Sequence, residues 1–126
     1  QQAVSFNTET ELPLYSFNTT ILEKIGQICI KLSTQAQNLI ALQSEEEIKP
    51  IFKKGSIFIV DPNAALEKDS LVAVKIENNL QILIRKLQIE FDKILLTTYD
   101  NSTTPLILNP KLHSILGVVI QVNAKT

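Results

Sequence analysis

From Asn38 onward the chain is punctuated into short apolar runs, each closed by a turn signal, and that rhythm constrains the fold more than any other feature. Asn38–Gln43 (NLIALQ) comes first, then Ser56–Val60 (SIFIV), stopped by Asp61-Pro62. Asn63–Asp69 is a loop or short turn. Leu71–Ile76 and Leu80–Leu87 flank Asn78-Asn79, and Ile94–Thr98 follows a turn near Asp92-Lys93. Asp100–Pro105 is a polar loop, Leu106–Leu108 is extended, and Ile115–Val122 (ILGVVIQV) is the last run. The apolar content is mostly Ile, Leu and Val, with no Trp, and β-branched enrichment favours strands. Asn tolerates the left-handed backbone of a tight turn, so Asn78-Asn79 predicts a hairpin. The expected fold is mostly β and mainly antiparallel, with one or two short helices.

The first third is less regular. Gln1–Glu11 is polar and reads as a linker or N-terminal arm, leaving residues 12–126 as one domain, long enough to bury a core. Pro13 pushes Leu12 toward extended backbone, so Leu12–Phe17 is a short extended segment. In Thr20–Leu32, Ile21, Leu22, Ile25 and Ile28 fall at helical spacing and predict a short amphipathic helix. Gly26 works against it, and Ile28-Cys29-Ile30 reads equally well as the opening of a strand.

Composition removes several classes of function. Twelve basic and 13 acidic residues leave a net charge of −1, so the chain lacks the basic footprint of a direct DNA binder. Cys29 is the single cysteine, which rules out an intrachain disulfide and a cysteine-based zinc site. His113 is the single histidine, and nothing in the sequence sets it beside Cys29 as a dyad. No apolar run approaches the ~18 residues of a membrane span, and no signal peptide opens the chain, so a cytoplasmic location without a membrane partner is expected. No cofactor is expected. The absence of methionine predicts a piece of a longer product that continues N-terminally.

The densest cluster of specific residues is Glu45–Pro62, EEEIKPIFKKGSIFIVDP. About 20 residues beyond it lies Ile82-Leu83-Ile84-Arg85-Lys86-Leu87. Together with Leu12-Pro13-Leu14-Tyr15-Ser16, Ile40-Ala41-Leu42, Lys68-Asp69-Ser70-Leu71-Val72-Ala73, Asp100-Asn101 and Gly117-Val118-Val119, this order of elements resembles the C-terminal domain of LexA-type and lambda-CI-type repressors, the S24 peptidase family. The likeness runs from about Leu12 to Val122. Pro50-Ile51-Phe52, Gly55-Ser56-Ile57 and Val60-Asp61-Pro62 correspond to the family's P-x-F, GS-apolar and VDP stretch. No single motif is specific, and the order and spacing carry the match.

The resemblance implies a LexA/signal-peptidase-like antiparallel β fold and a Ser–Lys dyad, but both dyad positions differ here. Counting back from Pro50, the family's methionine corresponds to Ile48, its nucleophilic serine to Glu47 and its preceding glycine to Glu45. Its general-base lysine corresponds to Arg85, with Lys86 next to it. Serine attack needs a hydroxyl whose proton passes to a desolvated, neutral lysine. Arginine stays protonated and does not serve as that base. Glu47 and Arg85 either form an ion pair or stand as two solvated charges. Ser44, Ser56 and Lys86 are the residues nearby that rescue would call on. Self-cleaving members cut Ala-Gly or Cys-Gly, and the three glycines here follow Ile25, Lys54 and Leu116.

Other features have simpler readings. Glu45-Glu46-Glu47 is a solvated acidic loop before it is a cation site. Lys53-Lys54 is too short to imply nucleic acid, and Asn101-Ser102-Thr103 is a sequon without a secretory route. The leading reading is therefore a non-catalytic dimerisation and regulatory domain of a helix-turn-helix repressor, contacting DNA only through a domain outside this chain. By the resemblance it forms a homodimer, with Ile115, Val118, Val119, Ile120, Gln121 and Val122 at the contact, since an apolar strand at a sheet edge templates pairing. The alternatives are an active Ser–Lys peptidase with a displaced dyad, and a module whose vestigial cleft binds a peptide or regulatory protein by strand addition.

Overall fold

In the computed structural model the described residues are 9–18, 22–32, 36–49, 51–77 and 81–125. They form one nine-stranded sheet with no helix among them: β1 (Glu9–Phe17), β2 (Leu22–Lys31), β3 (Ile40–Ser44), β4 (Ile57–Asp61), β5 (Leu71–Ile76), β6 (Gln81–Glu90), β7 (Lys93–Thr97), β8 (Leu106–Ile107) and β9 (His113–Asn123). The spatial order is β2-β1-β3-β4-β9-β5-β6-β7-β8. Every neighbouring pair is antiparallel except β1 and β3, which run parallel. The mostly β fold is as expected. β5 and β6 pair from Ile76↔Gln81 to Leu71↔Lys86, while Asn78-Asn79 and Pro50 lie outside the described residues.

The helix expected over Thr20–Leu32 is instead strand β2, and the predicted arm ends early because β1 begins at Glu9. A bulge explains the misleading spacing. Leu14 pairs with Gly26 but Tyr15 pairs with Lys24, so Ile25 is an extra residue, 48% exposed. An extra residue reverses which face the following side chains take. Leu22 therefore packs with Phe17 on one face, while Ile28 and Ile30 pack with Leu12 on the other. Of the four apolar residues that imitate a helical stripe, Leu22 and Ile28 serve opposite sides of the sheet, Ile25 is the bulge, and Ile21 lies outside the described residues.

Both faces carry apolar clusters. One face buries Phe17, Leu42, Phe52, Phe58, Val60, Ala73, Ile82 and Ile84. The other buries Leu12, Ile30, Leu39, Ala41 and Ile59 at one end and Val72, Val74, Leu87 and Leu96 at the other, with Ile120 touching both groups. Among the described residues no helical layer covers either face, and the sheet coils on itself. In a flat sheet β2 and β9 would stand four strand spacings, about 19 Å, apart. Instead Gln121 Nε2 on β9 donates to the carbonyl of Lys31 at the end of β2, at 2.9 Å.

β9 pairs with β4 on one side and β5 on the other. It is therefore an interior strand, and the free edge expected at Ile115–Val122 does not exist. Continuous apolar sequence marks a strand buried on both faces as readily as a sticky edge. Val118 is buried, and Ile115, Val119, Ile120, Gln121 and Val122 are half-buried.

Candidate functional site

The chain leaves β3 at Ser44 and turns at once. Ser44 Oγ donates to the Glu46 carbonyl and accepts from the Glu46 amide at 3.2 Å, a local turn that serine favours. The Ser44 amide donates to Ser56 O at 3.0 Å, and Gly55 N returns to Ser44 O at 2.8 Å. Glu45 is held from β1: its amide donates to Phe17 O at 2.8 Å, and its carboxylate accepts from Ser16 Oγ at 2.7 Å. Ile48 and Phe52 then exchange backbone hydrogen bonds of 2.7 and 2.9 Å, closing a small loop that carries Lys49 and begins just after Glu47. Phe52 locks the loop to the core, edge-on to Phe58 at 5.1 Å and to Tyr99 at 5.7 Å.

This loop faces a cleft of about 390 Å³, lined by Glu46, Glu47, Ile48 and Lys49 on one wall and by Ile82–Arg85 of β6 on the other, with Phe17. Thr98, Ser102 and Thr103 complete it from the segment after β7. That segment is shaped by its own polar side chains. The Ser102 amide donates to Thr98 Oγ1 at 3.0 Å and to Asp100 Oδ1 at 3.1 Å, with Asn101 at φ 58°. Hydrogen bonds from Ser102 lower the pKa of Asp100.

Part of the β6 wall is open backbone. β6 pairs with β5 over Gln81–Lys86, but with β7 only over Lys86–Glu90. Leu87 directs its carbonyl and amide to the β5 side, meeting Asp69 N at 2.7 Å and Ser70 O at 2.8 Å. Backbone groups alternate along a strand, so those of Ile82 and Ile84 point the other way, where no strand lies among the described residues. The Ile84 carbonyl accepts from Arg85 Nη1 at 3.0 Å. The Arg85 guanidinium is thus turned back over the open edge, and burial lowers its pKa from the ordinary arginine value.

Glu47 and Arg85, the two positions aligned with the dyad, therefore line one cleft. They form no ion pair. Strand alternation puts Lys86, not Arg85, on the face of Ile82 and Ile84, opposite Leu71 and Thr97. Lys86 is nonetheless absent from the lining, whereas Arg85 belongs to it, with its guanidinium folded back onto the Ile84 carbonyl at the open edge. Ser44 is 1% exposed with its hydroxyl tied to Glu46, and Ser56 is buried with its hydroxyl accepting from Lys125 N at 3.1 Å. Among the described residues no lysine ammonium lies within hydrogen-bond distance of a serine hydroxyl. Lys49, Thr98, Ser102 and Thr103 were not legible as lining residues. The one signal for the last three was the polar loop after Ile94–Thr98.

Cys29 is exposed on β2. His113 begins β9, and its Nδ1 accepts from Asn109 N at 2.9 Å. The two stand on different strands, and no dyad joins them. Among the described residues no group of His, Cys, Asp and Glu gathers as metal ligands, and no helix is long and apolar enough to cross a membrane. The family model described as Peptidase S24-like matches residues 15–120. No curated protein matches the chain.

Proposed function

The chain belongs to the Peptidase S24-like family, and from that premise we propose that it is a non-catalytic regulatory and dimerisation domain of a transcriptional repressor. One observation carries the loss of catalysis. The cleft that should present a serine and a neutral lysine presents Glu47 and Arg85. A carboxylate in place of the hydroxyl and a permanently charged guanidinium in place of the base remove the Ser–Lys route to attack on a peptide bond. The two rescue serines are committed elsewhere, Ser44 to the Glu46 backbone and Ser56 to the tail at Lys125, and Lys86 does not line the cleft. In LexA-like repressors such a domain pairs two subunits, so that a helix-turn-helix domain on each reaches one of two half-sites. The second contact then becomes effectively intramolecular.

Incubation at alkaline pH tests the catalytic part, because neutralising a lysine base speeds self-cleavage in active members. The chain is expected to stay intact. A discrete pair of fragments that disappears on Ser44→Ala would overturn the assignment.

A second reading, peptide binding by strand addition, is favoured by the open edge at Ile82 and Ile84. An extended segment laid there would extend the sheet at the point where β7 diverges, with the loop of Glu46–Lys49 as the opposite wall.

A further inference from the structure

Arg85 is poorly satisfied for a half-buried cation. A guanidinium offers five N–H donors. Here it makes one hydrogen bond, to the neighbouring Ile84 carbonyl, and meets no carboxylate within ion-pair distance. Glu47 lines the same cleft but is exposed and does not reach it. Burying a cation without an anionic partner is unfavourable, and a charge-assisted pair with a carboxylate strengthens as water is excluded.

We propose that Arg85 has turned the vestigial cleft into a carboxylate-recognition site, which takes an extended acidic peptide along the open edge of β6. The proposal rests on the strand-addition reading and adds what the site selects. The backbone of Ile82 and the amide of Ile84 supply sequence-independent hydrogen bonds, the Ile84 carbonyl being held by Arg85. Arg85, between them and the end of β7, supplies the discrimination by forking onto an Asp or Glu side chain of the ligand. Thr98, Ser102 and Thr103 line the same cleft with hydroxyls, which accept or donate as the ligand requires. The lining charges decide how selection works. Glu46 and Glu47 offset Lys49 and Arg85, so the cleft has no net charge to draw anions from a distance. Selectivity therefore arises on contact with the guanidinium, and it resides in the lifetime of the complex rather than in the rate of encounter.

The test is a titration of the 15N-labelled chain, followed by nuclear magnetic resonance, with two blocked tripeptides, acetyl-Val-Glu-Val-amide and acetyl-Val-Gln-Val-amide. The Glu peptide should bind about tenfold more tightly, the usual worth of one charge-assisted hydrogen bond. It should shift the amides of Ile82 and Ile84 and the Arg85 Nε resonance. Arg85→Gln should bring the two peptides to one affinity, with the rest of the spectrum showing that the variant is folded. Equal affinity of the two peptides for the unaltered chain would overturn the role of Arg85 and leave strand addition standing. Failure of both peptides to bind would overturn strand addition and the proposal together. A shift of Arg85 Nε with sodium acetate, but not with sodium chloride at the same ionic strength, would then restrict Arg85 to free carboxylates.

Discussion

A Cβ built on Gly117 would sit 2.5 Å from the carbonyl oxygen of Asp61 and 2.8 Å from Cα of Pro62. Both contacts are backbone, so neither moves out of the way as a flexible side chain would. The position lies beside a bulge, because Ala73 pairs with Gly117 while Val74 pairs with Ile115. Glycine is what lets β9 pass so close to the end of β4. Gly117→Ala should destabilise the fold by about 3 kcal/mol, the upper range for overpacking, read as a lower urea midpoint with an unchanged slope. Phe91 is the opposite case. It stands at the β6–β7 turn with φ 56°, and its side chain is fully exposed. A left-handed backbone costs a non-glycine residue about 1–2 kcal/mol, and the extra freedom of glycine in the unfolded chain returns part of that. Phe91→Gly should therefore raise stability by up to about 1 kcal/mol, and a lower urea midpoint would show that the ring makes a contact of its own. Nothing in the structure explains why a phenylalanine stands there.

At the scale of the elements, the sequence displays strands whose side chains obey one rule along their length and conceals those that change rule midway. β5 was legible to the residue because Leu71–Ile76 ends at turn signals on both sides. β2 was not, because the bulge at Ile25 divides its apolar residues between two faces, and an edge strand that is largely exposed shows little alternation. The site divides similarly. The family resemblance pointed to Glu47 and Arg85 as the dyad positions, and both line the cleft. The Thr98–Thr103 wall was hidden, because its return over the cleft depends on the Asp100–Ser102 turn and on Tyr99 meeting Phe52. If Glu47 and Arg85 hold the old dyad positions, Glu47→Ser with Arg85→Lys should restore slow cleavage of a supplied Ala-Gly peptide, rising with pH as the lysine loses its proton. Each single change should stay silent. A double variant that remains inactive across the alkaline range would mean that the strand presents Lys86, not residue 85, to the nucleophile.

The whole molecule is a coiled sheet whose last strand lies in its interior, and this changes how two copies would meet. Because β9 is flanked by β4 and β5, pairing through its backbone is closed, and association through Ile115–Val122 must use a face of the sheet. A second bulge separates the residues that test this. Ile59 pairs with Gln121 but Val60 pairs with Val119, so Ile120 is extra and its neighbours point to opposite faces. Val119 packs against the cluster of Phe58 and Val60. Gln121 faces the other side, half-buried, with its amide on the Lys31 carbonyl. A charge at Val119 therefore acts on folding: Val119→Glu should lower the melting temperature sharply, whatever the protein concentration. A charge at Gln121 tests the proposed pairing, because this side chain lies on the opposite face from Val119. Gln121→Glu loses the donor to the Lys31 carbonyl and sets a carboxylate against it, so it should lower stability by about 1–3 kcal/mol. In a pairing through that face it should also weaken self-association by about tenfold or more, because identical charges meet across a two-fold contact. With a net charge of −1, long-range repulsion does little to hold the copies apart. A thermal melt at two concentrations reads the first effect and sedimentation equilibrium the second. A wild-type chain that remains monomeric at roughly 100 μM, far above the dissociation constants of specific complexes, would remove dimerisation through this domain and leave the peptide cleft as its function.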